Sequence, residues 1–516
     1  MISRSIVMFG VLFVLLVAAS QPVWSQESRG TILGRVTDGS SAVVPDAGVE
    51  LTNVATGVMG RAATNVDGNY FFPYLVPGMY RITVEKTGFK RYARDGIQVN
   101  VNARIELNLT LELGTATETI TVTAEAPLLD TTGASTGRVV DAREVRALPM
   151  AHGNPDNIIR LSTGVGFTDQ MQKDQPWQSL NTAYTMVGSP QSRNEFTLDG
   201  MSNTAHDQAR GSVFEAWTPM GETVAEFKVQ TMTFDVSTGQ TEGGVVNVLL
   251  KSGTNGLHGS AYWAKQFPST GANWWFSNLA GTPKPGFKYN RIGGELDGPV
   301  ILPKIYDGRN RTFFMVGYEN IHSIAEMSSV LTVPNAAQRT GDFSGLLRLG
   351  PNYQIYDPFS RVPAAGGRYT NQPLPGNVIP TSKISPIATK ILGFYPMPDS
   401  LGSSTTTADG GTNLNRAGWP TRSIYHSDVY KFDHNLSQKN RMMFRYNAFR
   451  QDNISTDYFG FDNPALGALF WNESAGFHLD FVRTFTPSLL MGIRVSVASF
   501  VRAQKATQPG FGLSSL

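Results

Sequence analysis

The sequence predicts a mainly β protein, and three observations carry this prediction. Short runs in which apolar and polar residues alternate recur along the chain between Gly, Pro, Asn and Asp. Glycine is abundant, with 52 among 516 residues, while charged residues make up only 16%, a balance typical of many turns and strands. Beyond the N-terminal segment, no apolar run approaches the length of a membrane helix. Any membrane insertion must therefore use strands closed into a barrel.

The composition also bounds the classes of function. The chain is 41% hydrophobic, which excludes wholesale disorder, and its formal net charge of +2 gives no electrostatic footprint for nucleic acid. It contains no cysteine, so disulfides, thiolate zinc sites and thiol nucleophiles are excluded. The 7 histidines are scattered as single residues, and no metal-binding, phosphate-binding or dinucleotide-binding motif occurs. We therefore expect neither a metal nor another cofactor.

The N-terminus predicts export. Arg4 precedes an apolar run from Ile6 to Ala19, and the residues up to Ser25 suit cleavage by a signal peptidase. An uncleaved anchor is the alternative, but the run is short for a membrane span. Residues 1–25 are therefore predicted to be a signal peptide that is removed after Sec-type export.

Residues 30–113 are predicted to fold as a small antiparallel β-sandwich, because turn residues separate short alternating runs there. The inward residues should include Tyr70, Phe72, Tyr80, Ile82 and Val84, and the outward ones Arg81, Thr83 and Glu85. The segment resembles a carboxypeptidase regulatory-like domain through Gly34, Val36, Asp38, Pro45, Ala47, Val49, Gly68, Tyr70, Pro77, Gly78, Tyr80, Gly88 and Phe89. The resemblance implies no peptidase activity, since the segment lacks histidine, and a scaffold role is preferred to ligand binding.

An extended segment follows at 118–127. Its first seven residues alternate Thr with apolar residues: Glu118, Thr119, Ile120, Thr121, Val122, Thr123 and Ala124. Pro127 prevents a longer strand. The segment resembles a TonB box, through which TonB-dependent outer-membrane transporters add a strand to the sheet edge of a periplasmic energy transducer. The alternatives are a last strand of the sandwich or a linker.

Residues 128–250 resemble the α+β plug domain of the same transporters. A short helix should open at Asp141 and end at Pro149. Strands are expected at 193–200, with an Asp-Gly turn, and at 224–229. The stretch 239–263, GQTEGGVVNVLLKSGTNGLHGSAYW, resembles the junction between plug and barrel. The N-terminal sandwich makes the chain most similar to the Oar-like branch of the family.

Seven amphipathic strands are predicted after the junction, near 257–267, 288–298, 312–322, 426–436, 441–451, 474–485 and 489–501. A soluble sheet with one wet face would alternate in the same way. Long links, expected outside the cell, lie at 268–287, 323–425 and 452–473. Short turns, expected in the periplasm, lie at 437–440 and 486–488. Outer-membrane barrels require this alternation, so 257–516 is predicted to be the N-terminal part of a transmembrane antiparallel β-barrel.

The strand count predicts that the chain is part of a longer protein. Plugged barrels of this class have about 22 strands, and an odd number such as seven does not close a single-chain bacterial barrel. An open edge in hydrocarbon leaves backbone groups unpaired. We therefore expect further strands to follow Leu516.

The link 323–425 is the longest and is rich in Pro, Gly and Ser. Five of its aromatic residues are candidates for contact with a ligand: Tyr353, Tyr356, Tyr369, Tyr395 and Trp419. The preferred expectation is that they pack the loop on itself. The alternative is that they stack on an extracellular peptide or carbohydrate.

Three classes of function remain. The resemblance implies energy-coupled uptake of a ligand across the outer membrane, with a barrel in contact with outer-membrane lipid and a TonB-type transducer pulling on 118–124. A surface binding or adhesion protein would need no such box. A secreted hydrolase would depend on Ser135, which fits a G-x-S-x-G motif, but no strong strand precedes it, and we expect no enzymatic activity.

Overall fold

The computed structural model describes the chain in a series of ranges. They are 29–115, 119–123, 136–148, 153–167, 184–190, 193–207, 212–232, 241–273, 275–279, 281, 284, 286–400, 412–454, 468–486 and 489–506. The predicted signal peptide and Ser135 lie outside these ranges. Among the helices within them, none combines the length and apolar character that a membrane span needs.

The first unit, called here the N-terminal sandwich, consists of two sheets. Its strands are β1 (Gly30–Asp38), β2 (Gly48–Asn53), β3 (Met59–Ala63), β4 (Asn69–Leu75), β5 (Gly78–Glu85), β6 (Arg91–Val99), β7 (Arg104–Glu106), β8 (Leu109–Leu111) and β9 (Thr119–Thr123). One sheet has the order β4-β1-β7, with β8 also paired to β1, and the other has the order β3-β2-β5-β6-β9.

The alternation read from the sequence correctly assigns the sandwich core. The predicted inward residues are all buried: Tyr70, Phe72, Tyr80, Ile82 and Val84. Arg81 and Glu85 are exposed. The antiparallel prediction for 30–113 is wrong in part, because β7 and β8 run parallel to β1. Strand β9, which follows this segment, runs parallel to β6. Side-chain alternation has the same period in both kinds of pairing, so it does not specify strand direction.

The second unit, called here the middle domain, comprises the described residues from 136 to 250. Its strands are β10 (Thr136–Asp141), β11 (Val165–Phe167), β12 (Tyr184–Met186), β13 (Glu195–Leu198), β14 (Met201–Ser202), β15 (Thr204–Asp207), β16 (Ser212–Glu215), β17 (Val224–Met232) and β18 (Val245–Leu250). Helix α1 (Ala142–Ala147) and 3-10 turns at Pro155–Leu161 and Gly221–Thr223 complete it. The main sheet has the order β10-β17-β18-β13-β14.

Local sequence explains two features of the middle domain. Helix α1 begins after Asp141 as predicted, because the Asp141 carboxylate accepts a hydrogen bond from the Glu144 N–H at 2.8 Å. The predicted Asp199-Gly200 turn joins β13 to β14, and both residues have positive φ, 50° and 79°, as a tight hairpin turn requires. Every residue of β18 is buried, since β17 and β13 flank it.

The third unit, called here the barrel sheet, has seven long strands in chain order: β19 (His258–Gln266), β20 (Phe287–Pro299), β23 (Thr312–Leu331), β26 (Leu414–Ser437), β27 (Asn440–Ile454), β28 (Ala468–Thr486) and β29 (Leu489–Ala506). All neighbours are antiparallel. Two small hairpins, β21 (Ile301–Leu302) with β22 (Tyr306–Asp307) and β24 (Val362–Ala364) with β25 (Arg368–Thr370), lie in the links.

The seven predicted strands are therefore confirmed, although several are longer than predicted. Strand β26 begins at Leu414 rather than near 426, and β23 continues to Leu331. The extensions carry more polar residues, and a backbone ladder needs no apolar side chain to continue. The link 438–439 between β26 and β27 and the link 300–311 between β20 and β23, which contains the β21–β22 hairpin, lie at one end of the sheet. This end is called here the short-turn end and is the periplasmic end in an outer-membrane barrel.

The two faces of the barrel sheet differ as the alternation predicts. Apolar side chains on one face are exposed, among them Tyr430, Phe432, Tyr446, Phe477, Ile493, Val497 and Val501. The opposite face carries buried polar side chains, among them Lys431, Arg445, Asn447, His478 and Asp480. It also carries apolar ones, such as Val429 and Phe449, that pack with the middle domain. A lipid-facing outer surface and a partly polar inner surface follow from this arrangement.

The links at the other end contain folded structure. Helix α2 (Trp275–Leu279) and a 3-10 turn, Pro268–Thr270, lie between β19 and β20. The link between β23 and β26 contains α3 (Ala336–Arg339), α4 (Pro386–Gly393) and the 3-10 turns Ser344–Leu349, Pro351–Tyr353, Ala365–Gly367, Pro375–Asn377 and Thr381–Lys383.

The packing of the longest link is organised by a polar residue. Asn377 is fully buried and bonds the Tyr353 carbonyl at 2.9 Å and the Ile355 N–H at 2.8 Å. In contrast, Tyr353, Tyr356 and Tyr369 are 42%, 51% and 56% exposed. The expectation that the aromatic residues pack the loop on itself therefore holds only in part, because these three rings are about half exposed while Arg361 of the same loop stacks over the Tyr369 ring.

We predict that residues 29–115 fold when expressed alone, because they contain a complete apolar core. Replacing fully buried Ile82 with Ala should lower the free energy of unfolding by about 2–5 kcal/mol, since it leaves a cavity. Urea unfolding followed by circular dichroism measures this change. Arg81→Ala on the outward face is the control and should cost under about 1 kcal/mol. A random-coil spectrum for the parent segment would contradict the prediction.

Candidate functional site

The candidate site lies where the β13–β14 turn of the middle domain meets the inner face of the barrel sheet. The Asp199 carboxylate accepts hydrogen bonds from Lys431 Nζ at 3.0 Å and from Arg445 Nη1 at 2.6 Å. The Leu250 N–H donates to the same carboxylate at 3.1 Å. All three charged side chains are at most 6% exposed. A buried ionic contact therefore joins the middle domain to the barrel sheet.

The barrel sheet alone would not tolerate these two cations well. Lys431 on β26 and Arg445 on β27 are direct cross-strand partners, and like charges in that position repel. The Asp199 carboxylate lies against both of them and supplies the missing opposite charge. The inner wall is thus stabilised by a residue from a different domain.

The charge state of Asp199 follows from the same contacts. Burial would raise the pKa of the Asp199 carboxyl, but the charges of Lys431 and Arg445 outweigh burial and hold that pKa at about 2. Because the pKa is lowered, the stabilisation is present above the unfolded value near 4 and is lost only as pH falls through about 2. The contact is therefore ionised throughout the neutral range.

A second acidic residue continues the polar inner face. Asp480 on β28 contacts Arg29 of the N-terminal sandwich at 2.6 Å and Arg494 on β29 at 3.4 Å. Asp480 and Arg494 are also cross-strand partners. The ionic residues thus reach from the middle domain to the N-terminal sandwich along one wall.

Close packing fixes the middle domain against the wall at further points. The Trp217 indole, fully buried, donates to Ser427 Oγ at 3.0 Å and to the Ala448 carbonyl at 3.2 Å. The 3-10 turn at Gly221–Thr223 approaches β23 at Gly317, where an added Cβ would lie 2.5 Å from a Thr223 methyl carbon. Glycine at 317 therefore permits this approach.

The predicted junction motif has a defined geometry. After β18, the chain passes the ends of β20 and β23 at Gly253, where an added Cβ would lie 2.6 Å from the Phe314 carbonyl oxygen. Lys251 pairs with Glu295 of β20 at 2.5 Å. The Lys-Ser-Gly-Thr-Asn sequence thus brings the middle domain directly onto the barrel sheet.

The middle domain also contains a buried pair of carboxyl groups. Asp156 and Glu215 hydrogen bond to each other, and Asn203 and Thr218 donate to Glu215 at 3.1 and 2.9 Å. Burial raises the pKa of Asp156 to about 6 and that of Glu215 well above its usual range, the latter also through the charge of Asp156. The pair lies next to Trp217, which contacts the barrel sheet.

The segment predicted to bind a transducer forms strand β9. Thr119, Ile120, Thr121, Val122 and Thr123 pair in parallel with residues 91–95 of β6. Glu118 and Ala124 lie outside the described residues. Strand β9 ends its sheet, and its outer edge has no strand neighbour within the described chain. The segment is therefore an edge strand of the N-terminal sandwich, the alternative left open by the sequence.

The N-terminal sandwich contacts both other units. The Val101 N–H donates to the Glu226 carboxylate of β17, and Arg441 of β27 donates to the Tyr74 carbonyl at 3.3 Å. Burial raises the pKa of Glu226 to about 7, although the Val101 hydrogen bond partly offsets this effect. These contacts place the sandwich at the short-turn end of the barrel sheet.

Within the described ranges, no group of three His, Asp or Glu residues is arranged to hold a metal ion. His426 and His434 lie eight residues apart on β26, and His434 Nδ1 contacts Thr312 Oγ1 at 2.7 Å. Sequence reasoning found the Asp199-Gly200 turn but missed the role of Asp199, and nothing local marks Lys431 or Arg445 as its partners.

Comparison with known proteins identifies the barrel sheet. A family model described as an outer membrane beta barrel domain matches residues 249–516, just over half of the chain. The chain belongs to this family. A model of the carboxypeptidase regulatory-like domain matches residues 31–112. The membership assigns the protein to the outer membrane. The predicted resemblances of 257–516 to an outer-membrane barrel and of 30–113 to a carboxypeptidase regulatory-like domain are confirmed.

Individual proteins are similar to this outer membrane beta barrel protein over part of its length. The TonB-dependent transporter Oar of Myxococcus xanthus is 27% identical over 292 residues, which are 54% of this chain and 26% of that protein. The chain thus spans about a quarter of that relative's length. The solved structure of the outer membrane transporter YddB of Escherichia coli is similar with a TM-score of 0.43 and 10% sequence identity, covering 72% of this chain and 40% of that one. The ferric enterobactin receptor PfeA of Pseudomonas aeruginosa is similar with a TM-score of 0.35 and 13% sequence identity, covering 68% of this chain and 41% of that one.

Asp199→Asn should loosen the middle domain from the barrel sheet by about 3–5 kcal/mol, because it leaves Lys431 and Arg445 buried without an opposite charge. Hydrogen exchange of the β13 and β18 amides in the folded protein measures the loss. Asp307→Asn, in an exposed ion pair, is the control and should change nothing. Replacing Lys431 and Arg445 with Met in the Asp199→Asn variant should recover most of the protection, because it removes the unpaired charges and Asn tolerates the positive φ at 199. Normal exchange in Asp199→Asn would contradict the role assigned to this contact.

The buried carboxyl pair should make the middle domain less stable as pH rises. Raised pKa values mean that the stabilisation is complete below the unfolded values near 4 and is lost as pH rises through about 6. We expect stability to fall by about 1 kcal/mol per pH unit between pH 4 and 6, measured by urea unfolding. Glu215→Gln should flatten this slope, whereas exposed Glu242→Gln should not. An equal slope in both variants would refute the assignment.

Proposed function

We propose that the protein takes up an extracellular ligand across the outer membrane, with energy supplied by the periplasmic domain of a TonB-type transducer. The observation that carries the proposal is the buried contact of Asp199 with Lys431 and Arg445. This contact holds a separate domain against the inner wall of an outer-membrane barrel sheet through charged groups that water solvates well. A plug that must move within a barrel needs contacts that water can replace.

In this proposal the middle domain is the plug. The contact also has an apolar part, in which Met315, Val429 and Phe449 of the barrel sheet pack with the middle domain, and separating it exposes hydrocarbon surface at about 25 cal/mol for each Å². Breaking the Asp199 contact instead exposes ions to entering water, which recovers much of the electrostatic energy lost. Force on the chain ahead of β10 would therefore be able to displace the middle domain without unfolding the barrel sheet.

Strand β9 is the segment that we propose the transducer binds and pulls. It pairs with β6 over five residues, and each backbone hydrogen bond contributes about 0.5–1.5 kcal/mol net. If β9 leaves β6 and pairs with a sheet edge of the transducer, the bonds lost are replaced by equivalent ones. The exchange is then close to neutral, and the sequence between 123 and 136 transmits the pull to β10.

The ligand is proposed to bind on the side of the long links. Tyr353, Tyr356 and Tyr369 present exposed rings there, and Arg361 stacks over the Tyr369 ring at 4.1 Å. Aromatic rings of this kind suit a carbohydrate or a peptide. The same exposed rings favour a second candidate function, surface binding or adhesion without transport, and the experiments on β9 separate the two.

Val122→Pro should weaken binding of the purified periplasmic domain of the transducer at least about tenfold, because proline removes a backbone donor and bars regular pairing. Isothermal titration with the outer-membrane protein in detergent measures the affinity. Val122→Thr keeps the donor and the β-branched shape, so it should bind as the parent does. Undiminished binding by Val122→Pro would exclude strand β9 as the transducer-binding segment and favour adhesion.

A cross-linked variant tests whether β9 must leave β6. Ala93 and Thr121 are register partners, and the chain has no native cysteine, so the pair Ala93→Cys and Thr121→Cys can form one defined disulfide. We expect the oxidised variant to lose transducer binding and the reduced one to regain it. Each single cysteine variant is the control. Full binding in the oxidised state would show that the transducer instead adds to the free edge of β9.

A further inference from the structure

A cavity of about 410 Å³ lies between the N-terminal sandwich and the short-turn end of the barrel sheet. Strands β3 and β4 form one wall, and the turn between β26 and β27 with the last residues of β28 forms the other. We propose that this cavity binds the headgroup of an anionic phospholipid from the inner leaflet of the outer membrane. The site is separate from the seat of the middle domain and from strand β9.

The charge of the cavity selects an anion. Four cations line it, Arg29, Arg61, Lys439 and Arg441, against one carboxylate, Asp433. Arg29 is paired with Asp480, and Arg61 with Glu50. Among the described residues, neither Lys439 nor Arg441 has an ion-pair partner.

The two unpaired cations come from the barrel side. Arg441 donates to the Tyr74 carbonyl, a neutral group, and Lys439 lies in the exposed turn between β26 and β27. A phosphate group between the sandwich and this turn would receive hydrogen bonds from Lys439 and Arg61, which lie on opposite walls. Cations held in this way at the edge of a barrel suit an anionic headgroup.

The apolar part of the lining distinguishes a lipid from free phosphate. Met442 and Phe485 belong to the outward face of the barrel sheet and are 36% and 41% exposed, and Phe71 on the sandwich is 41% exposed. They join the cavity to the apolar outer surface that faces hydrocarbon. A free phosphate would leave these side chains in water, whereas acyl chains would cover them.

Size and depth agree with this assignment. Ligand cavities span about 300–1,000 Å³, and 410 Å³ holds a glycerophosphate headgroup but not two acyl chains. The chains would therefore extend over the outer face of β27 and β28. The short-turn end of the barrel sheet lies at the level of the inner-leaflet headgroups, which brings the cavity within reach of such lipids.

Native mass spectrometry of the delipidated protein, titrated with dioleoyl-phosphatidylglycerol, tests the proposal. We expect saturable binding of one lipid that the double variant Arg61→Gln, Lys439→Gln weakens about tenfold. The matched control is Arg81→Gln, Lys304→Gln, which removes an exposed sandwich arginine also paired with a carboxylate and an exposed lysine of the neighbouring short-turn hairpin. This control should bind as the parent does.

Two further binding measurements identify the ligand. Dioleoyl-phosphatidylcholine, with the same chains and a zwitterionic headgroup, should bind at least about tenfold more weakly than the phosphatidylglycerol. Inorganic phosphate at equal concentration should not displace the lipid. Equal loss in both double variants, equal binding of both lipids, or displacement by inorganic phosphate would each overturn the proposal.

Discussion

The contact of Asp199 with Lys431 and Arg445 is the interaction on which the arrangement of the domains depends. Two buried cations on adjacent strands repel each other, and the cost of leaving them without an anion is several kcal/mol. The barrel sheet therefore requires the β13–β14 turn, and the turn requires the barrel sheet. Neither domain has a satisfied polar surface there without the other.

The polarity of the inner wall follows from this requirement. Lumen-facing residues are buried and include charged or polar side chains as well as apolar ones such as Val429 and Phe449, which pack with the core of the middle domain. Outward residues of the same strands are largely apolar. An apolar inner wall would hold a plug more permanently, because separation would expose hydrocarbon to water. An ionic wall loses less on separation, since water replaces the partner. The contact between the middle domain and the barrel sheet combines ionic pairs, which water can replace on separation, with apolar packing, which water cannot replace.

The N-terminal sandwich is attached to these units by isolated polar contacts. Arg29 reaches Asp480, Val101 reaches Glu226, and Tyr74 accepts from Arg441. Hydrogen bonds to charged groups contribute about 1.5–3 kcal/mol each, which is small beside the continuous ladders of the barrel sheet. The sandwich is accordingly the unit that separates most easily, and it carries strand β9 at its own edge.

The sequence by itself determined the features that depend on local residue patterns. The seven barrel strands, the inward residues of the sandwich and the start of helix α1 at Asp141 follow from periods of two residues and from capping chemistry, which act over a few positions. These local rules do not depend on where the rest of the chain lies. They also supported the resemblance that the family match later confirmed for the barrel.

Only the tertiary structure decided which distant groups meet. Lys431 lies 232 residues from Asp199, and the pairing of Asp156 with Glu215 or of β9 with β6 leaves no trace in a local pattern. The parallel direction of β7 and β8 was mistaken for the same reason, and the partial exposure of three tyrosines in the longest link was not predicted. Such contacts arise from the register and packing of whole sheets, which fix positions that alternation alone leaves free.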